Sequence, residues 1–598
     1  MFTTRPELLG THGMVASTHW LASAAGFGVL EAGGNAADAA VTAGFVLQVV
    51  EPHLNGLGGD APILVAGPED ALPDVICGQG PAPAGASIDR FRELGVTAIP
   101  GSGLLAAVVP GAFDAWMLLL RDRGTLSMGD ALRPAIEYAA TGFPVVPRIE
   151  AAVAAVAGLF REHWPSSAEL WLADGVGPQG GGLWRNPLLA QTYRRLVAAA
   201  DAAAAAGLSR EAQIDAARDA FLGGFVAEAI DEFVRVPLLD GSGAAHAGVL
   251  ERADLAGWRA SVEPPATAEF AGHMVCKAST WSQGPVMLQQ LALLEALGIH
   301  RLPVRSAAWV HTIAEAAKLA FADREAWYGD SDEVPPALVS DLLDPDYTAQ
   351  RAALVGEGAS LELRPGVVGG RRPLLPVPAA GATGGGAAMP GMSGDPTISR
   401  GGTGRGDTCH VDVVDRHGMM VSATPSGGWL QSSPAIPGLG FALGTRLQMC
   451  WLTPGLPSSL RPGRRPRTTL SPTMLMRDGR PVLACGTPGG DQQDQWQLVA
   501  LLGWLLGGLD LQAGIDAASF HINHMPSSFA PRKASPGELV VESRLGEDVI
   551  AELRGRGHRV TVEGPWSLGR VSAVGRDGSG MLRAGANPRG MQGYAVGR

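Results

Sequence analysis

A chain of 598 residues with 46% hydrophobic and 17% charged residues can bury a large core, and its composition is not that of a disordered protein. The formal charge is −12, from 46 basic and 58 acidic residues, and no basic block or stripe is present, which excludes nucleic acid and anionic membranes as natural partners. Five widely spaced cysteines (Cys77, Cys276, Cys409, Cys450, Cys485) form no C-x-x-C pair, so reduced, buried thiols are expected rather than a zinc site or a disulfide framework.

The first residues lack the basic and apolar regions of a signal peptide. The longest apolar runs, such as 498–509 and 151–160, fall short of the roughly 18 residues a membrane span needs. A soluble, cytoplasmic protein is expected. Gly33-Gly34 predicts a turn and Asn35 an N-cap, followed by a buried helix over Ala36–Val50 that ends at Glu51-Pro52. Asn55-Gly56-Leu57-Gly58-Gly59 is then a loop in which backbone can approach another group closely, either for packing or to line a site. Helices are expected within 104–160, entered through Val109-Pro110-Gly111, within 190–235 on the surface, and over 284–300 and 306–328. In the last, His311, Glu315 and Lys318 share one face. That pair lacks a third ligand, and no metal is assigned.

Residues 365–407 are rich in Gly, Ala, Pro and Arg and carry no hydrophobic period, which predicts a mobile arm of about 40 residues. It runs into a patterned strand, Thr408–Asp415, a turn at Arg416-His417-Gly418, and a second strand, Met419–Thr424. Such a hairpin sets Thr408 opposite Pro425 or Ser426, about 5 Å away. Further on, strands surround a turn at Asp478-Gly479, and Pro488-Gly489-Gly490 leads into a helix from near Asp491 to Leu506. Bare backbone N–H groups at a helix start form an anion or oxyanion cradle. The tail is read as a helix near 544–556 and strands around 558–576.

A threonine hydroxyl needs a base to act as a nucleophile at neutral pH. No G-x-S-x-G elbow, no H-E-x-x-H motif and no obvious Ser-Lys pair is available. Cutting before Thr408 would free its α-amine, whose reference pKa of about 7.7–8.0 suits the task. Oγ of Thr408 would attack the Asp407 carbonyl to release itself, then attack substrate amides and pass the acyl group to water or an amine. The arm upstream gives that first step its freedom. No cofactor is required.

These motifs resemble the γ-glutamyltransferase family of N-terminal nucleophile hydrolases. The resemblance is carried by Gly13-Met-Val-Ala-Ser17, Gly33-Gly-Asn-Ala-Ala-Asp-Ala-Ala40, Val50-Glu-Pro52, Gly56-Leu-Gly-Gly59, Val109-Pro-Gly111, Lys318-Leu-Ala-Phe-Ala-Asp-Arg324, Gly329-Asp330, Gly406-Asp-Thr-Cys-His-Val-Asp-Val-Val-Asp415, Leu470-Ser-Pro-Thr473, Pro488-Gly-Gly490 and Asn587-Pro-Arg589. It implies an α/β fold, an αββα four-layer sandwich formed jointly by both halves of a self-cleaved chain. It implies a large subunit over 1–364 with the arm 365–407, cleavage between Asp407 and Thr408, and a small subunit over 408–598, the two fragments pairing as a heterodimer. Thr408 matches the catalytic threonine and Ser426 its hydroxyl partner. Gly489 and Gly490 match the oxyanion glycines, and Thr468 and Thr469 a serine pair that holds the substrate carboxylate.

Departures fall on the substrate pocket. Gln79 stands where the family grips a carboxylate with an arginine. The stretch Arg446-Leu-Gln448-Met449 lacks the acid that receives the substrate amine, and Gly428 replaces an asparagine. Losing both charged anchors weakens γ-glutamyl recognition. The expected partner is a small-molecule amide, in glutathione metabolism or as a cephalosporin-acylase-like or oxamate-type hydrolase. An unprocessed scaffold that has lost the chemistry is the reading from another class.

Overall fold

The computed structural model describes residues 3–376 and 408–598, apart from Pro336, Met591 and the side chain of Asp174. Fourteen strands build its two large sheets: β1 (Leu8–Gly10), β2 (Gly13–Ser17), β3 (Ala61–Ala66), β4 (Asp74–Gly78), β5 (Ser261–Glu263), β6 (Ala266–Phe270), β7 (His273–Lys277), β8 (Val411–Asp415), β9 (Met420–Ala423), β10 (Thr473–Arg477), β11 (Arg480–Gly486), β12 (Ser572–Arg576), β13 (Leu582–Ala586) and β14 (Tyr594–Gly597). One sheet runs β14-β2-β8-β9-β3-β4-β5 and the other β1-β13-β12-β11-β10-β7-β6. Every pairing within them is antiparallel. Both sheets take strands from either side of the arm, so neither closes without both halves of the chain.

The layers follow from side-chain alternation along strands that are apolar on both faces. In β3, Ile63 and Val65 join one core while Leu64 and Ala66 join another; in β10, Leu475 points away from Met474 and Met476. Met14, Leu64, Val414, Met420, Met474, Ala484 and Val574 meet between the sheets. On the outer side of the first sheet lie helices α1 (Trp20–Glu31), α2 (Ala36–Val50) and α3 (Ala112–Arg123). On the outer side of the second lie α4 (Pro285–Ala296), α5 (Ala307–Trp327) and α6 (Gln493–Leu505). The result is the expected αββα sandwich.

Helix α2 begins as read, with a reciprocal capping box between Asn35 and Asp38, and every residue in it is buried. The stretch 104–160 holds a short turn of helix at Leu104–Ala106 and three helices rather than a continuous run. The Ala-rich helices over 187–233 are only partly at the surface, because Tyr193, Phe221 and Ile230 are fully buried. The tail continues beyond the expected strands into β13 and β14, and β14 pairs with β2. Pattern alone missed these because both are short and glycine-containing. All five cysteines are buried and unpaired. No helix among the described residues is long and apolar enough to cross a membrane. Most of the arm, and Asp407 with it, lies outside the described residues.

Candidate active site

Sheet register builds the centre of the site. Strands β8 and β9 pair with Val411 opposite Ala423, and continuing that ladder by three residues puts Thr408 against Ser426, where an isolated antiparallel bridge is found. The two hydroxyl oxygens are 3.1 Å apart. Ser426 bridges in turn to Asp60: its N–H donates to the Asp60 carbonyl at 2.9 Å and accepts at its own carbonyl from Asp60 N–H at 2.8 Å. Strands β3 and β4 pair Ala61 with Gly78, so the next step of that ladder sets Gln79 opposite Asp60. Thr408, Ser426 and Asp60 therefore form one row across three neighbouring strands, with Gln79 one residue past the end of β4, and residues of a row share a face.

This row explains the glycine loop of 55–59. A Cβ on Gly59 would stand 2.0 Å from the Ser426 carbonyl oxygen, and one on Gly56 would stand 2.5 Å from that of Gly428. Gly427 and Gly428 both have left-handed φ, at 71° and 65°. The loop thus packs and lines the site at once, because only bare backbone fits so close behind Ser426.

The residues after Thr408 are tied down by buried polar groups. Cys409 donates its S–H to Glu51 at 3.0 Å, and Thr18 donates to the same carboxylate at 2.6 Å. Burial, reinforced by Glu51, pushes the Cys409 thiol well above its ordinary range, so it stays protonated. His410 lies between Thr424 at 2.9 Å and Asp412 at 2.8 Å, and Asp412 also accepts from Ser422 and Ser572. The His410 ring fills the space a Cβ on Gly486 would need. This locks the strand that follows Thr408 to the end of β11, four residues before Gly490.

Gly489 and Gly490 follow directly, with φ of 132° and 56°. A turn of 3-10 helix at Gly490–Gln492 leads into α6. A Cβ on Gly489 would lie 2.1 Å from the Trp496 ring. The loop is held from behind. Gln283 donates to the Gly490 carbonyl at 3.3 Å, and Asp491 accepts from Arg324 and, at 2.8 and 2.6 Å, from the backbone and hydroxyl of Ser528. Burial raises the Asp491 pKa, but Arg324 and Ser528 outweigh it and leave the carboxyl below its ordinary range. Arg467, next to Thr468, contacts Glu325 at 3.0 Å and Ser528 at 3.1 Å. One buried network thus fixes both the glycine loop and the 467–469 segment.

The pocket residues are distributed around Asp60. Thr468 lies beside Asp60; its hydroxyl accepts from Leu470 N–H at 3.3 Å, and its N–H donates to the Trp281 carbonyl at 2.8 Å. The Thr469 hydroxyl is buried with no partner. Gln79 donates its Nε2 to the Gly80 carbonyl at 3.0 Å, which leaves its Oε1 bare. Gln448 is committed to structure: its Nε2 donates to Gly101 and Thr445, and its Oε1 accepts from Ala530 N–H. Met449 is buried against Trp429 and Phe529.

Sequence reasoning missed two residues here, Asp60 and Arg446. Arg446 Nε donates to both Asp60 oxygens at 3.0 Å, and the guanidinium lies 5.3 Å over the Trp429 ring. Burial raises the Asp60 pKa while Arg446 opposes the rise. A signal existed: Asp60 is the only charged side chain between Glu51 and Glu69, and Arg446 the only one between Arg416 and Arg461, leaving histidine aside. Arg446 was read only as the absence of an acid.

His311 and Glu315 gain the third neighbour that spacing did not supply, since His558 brings a ligand atom within 4.8 Å of both. The trio is already occupied by hydrogen bonds and ion pairs. His311 contacts His558 and the Gly356 carbonyl, each at 2.9 Å, and Glu315 is held by Lys318 at 2.6 Å. Two cations, Lys318 and Arg364, face the carboxylate. They oppose a third.

Compared with known proteins, residues 22–597 match the family model described as gamma-glutamyltranspeptidase. The Acylase ACY 1 proenzyme of Pseudomonas sp. (strain SE83) is 30% identical over 96% of this chain and 92% of its own length. Among solved structures, LmbA2991HD is 54% identical with a TM-score of 0.92, covering 100% of both chains. The cephalosporin acylase of Bacillus halodurans is 26% identical with a TM-score of 0.81, covering 100% of this chain and 97% of that one. Matched in fold and sequence over nearly its whole length, the chain belongs to the gamma-glutamyltranspeptidase family of N-terminal nucleophile hydrolases.

Proposed function

We propose that the chain cuts itself between Asp407 and Thr408 and then hydrolyses or transfers acyl groups through an ester on Thr408. In the first step Thr408 Oγ attacks the Asp407 carbonyl and the peptide bond gives way to an ester. Water cleaves the ester, leaving a carboxylate on Asp407 and a free α-amine on Thr408. In turnover that amine takes the Oγ proton as Oγ attacks the substrate amide, and returns it to the departing nitrogen. The amine product leaves, and water or an acceptor amine releases the acyl group.

The observation that carries this reading is the 3.1 Å contact between the Thr408 and Ser426 hydroxyls, fixed by sheet register. Ser426 donates to or accepts from the nucleophile and holds its rotamer. The backbone at Gly489 and Gly490 receives the oxyanion, since glycine alone lets those N–H groups turn inward at such φ values. Fragments 1–407 and 408–598 remain together as a heterodimer, because each large sheet draws strands from both. Gln79 is neutral where a carboxylate would be held by a cation, so a small amide other than a γ-glutamyl one is the better-held substrate.

The test is the Thr408→Ala protein. On a denaturing gel the wild type gives two bands of about two thirds and one third of the mass, and the variant one. The variant's amide hydrolysis falls at least about 10⁴-fold. A variant that still splits at 407–408, or still turns over amides, overturns the reading.

A further inference from the structure

Arg446 is only 1% exposed, yet two of its three guanidinium nitrogens have no partner. The Nε edge is spent on Asp60; Nη1 and Nη2 are bare. Other buried arginines, Arg351, Arg467 and Arg532 among them, also keep a bare nitrogen, so it is the position of Arg446 beside the row of Thr408 that points to an acceptor binding from outside. The place is informative. Asp60, which fixes this guanidinium, stands in the same row as Ser426 and Thr408, with Ser426 between it and the nucleophile. Thr468 lies beside the same carboxylate, and the next residue, Thr469, carries a bare hydroxyl. Trp429 packs against the guanidinium face and confines it.

We infer that Arg446 is the specificity-determining residue of this enzyme, and that its two free nitrogens bind a carboxylate carried by the acyl group of the substrate. A planar fork of two donors matches the two oxygens of a carboxylate, and in a dry site such a pair is strong. The Thr469 hydroxyl is the next donor along the segment. Asp60 fixes the Nε edge of Arg446 and balances its charge. Gln79 is neutral, with one N–H of its Nε2 spent on Gly80 and its Oε1 bare, so it brings no charge to the task. The cation of the pocket therefore sits in the 446–449 stretch, where the family resemblance led us to look for an acid. The substrate class is a monoamide of a short dicarboxylic acid, with the carboxylate on Arg446 and the amide carbonyl on Thr408. This inference rests on the reading of Thr408 as nucleophile only for where the amide lies.

The test measures binding to the processed full chain by calorimetry, with two matched series as probes. One is the carboxylates oxamate, malonamate, succinamate and glutaramate; the other is the corresponding uncharged diamides. At least one carboxylate should bind tenfold or more tighter than its diamide, and Arg446→Gln should erase that preference. Arg446→Lys, which keeps the charge but loses the fork, should retain part of it. Equal binding of acid and diamide throughout, or no binding by any acid, overturns the inference using wild-type protein alone. So does an unchanged preference in a folded Arg446→Gln protein. The two readings fail separately. Amide turnover without carboxylate preference removes Arg446 and leaves Thr408, whereas carboxylate binding with full activity in Thr408→Ala does the reverse.

Discussion

Two regions of the site are built by different means. The row of Thr408, Ser426 and Asp60, which holds the proposed nucleophile, is placed by backbone ladders, each residue fixed by its strand neighbours. The pocket around Arg446, Thr468 and Thr469 is placed by side chains that cross between distant segments, from Arg446 to Asp60 and from Arg467 to Glu325 and Ser528. A ladder has few alternatives, so its chemistry is kept or lost as a whole. A pocket of side chains can exchange its charges and keep the fold, and within one family that is where substrate choice changes. Thr408 and Ser426 keep the family pattern here, while Gln79 and Arg446 depart from it.

This contrast can be broken by substitution. Gly489→Ala forces a Cβ into Trp496 at a φ that disfavours any side chain. We expect kcat to fall about 10²–10³-fold, the usual cost of one oxyanion donor, with both subunits still folded. An unchanged kcat would remove this loop from the chemistry. Ser426→Ala deletes a hydroxyl without touching the ladder, so we expect a loss of about 10–100-fold in kcat with little change in melting temperature. A large drop in melting temperature with normal kcat would make Ser426 structural. Gln79→Arg sharpens the comparison from the pocket side. It restores a cation at the family's position but supplies no acid for the amine, so γ-glutamyl anilide turnover should rise less than about tenfold. A larger gain would mean that the pocket is closer to the family pattern than the Arg446–Asp60 pair implies.

The same contrast explains what could be read from sequence. The Thr408–Ser426 pairing was partly legible: the hairpin turn at 416–418 narrowed the partner of Thr408 to Pro425 or Ser426, and the strand register decides for Ser426. The N-cap at Asn35 and the buried run of α2 were legible for the same local reason. The short, glycine-containing strands β13 and β14 were not, since β13 is flanked by β1 and β14 pairs with β2, both hundreds of residues away, although β13 also pairs with the neighbouring β12. Arg446 was not legible as a binding group either. Its meaning depends on Asp60, 386 positions earlier in the chain, and on two nitrogens that stay empty. Likewise His558 reaches His311 across 247 positions, and spacing within one helix could not reveal it.

The central claim is that backbone scission hands the Thr408 alcohol its own amine as base. Intact mass and N-terminal sequencing of active protein test it most directly. We predict a smaller subunit that begins Thr408-Cys409-His410, with the rate of amide hydrolysis rising in step with its appearance. A full-length chain of 61.7 kDa that hydrolyses amides while residue 408 is still joined to residue 407 would contradict it.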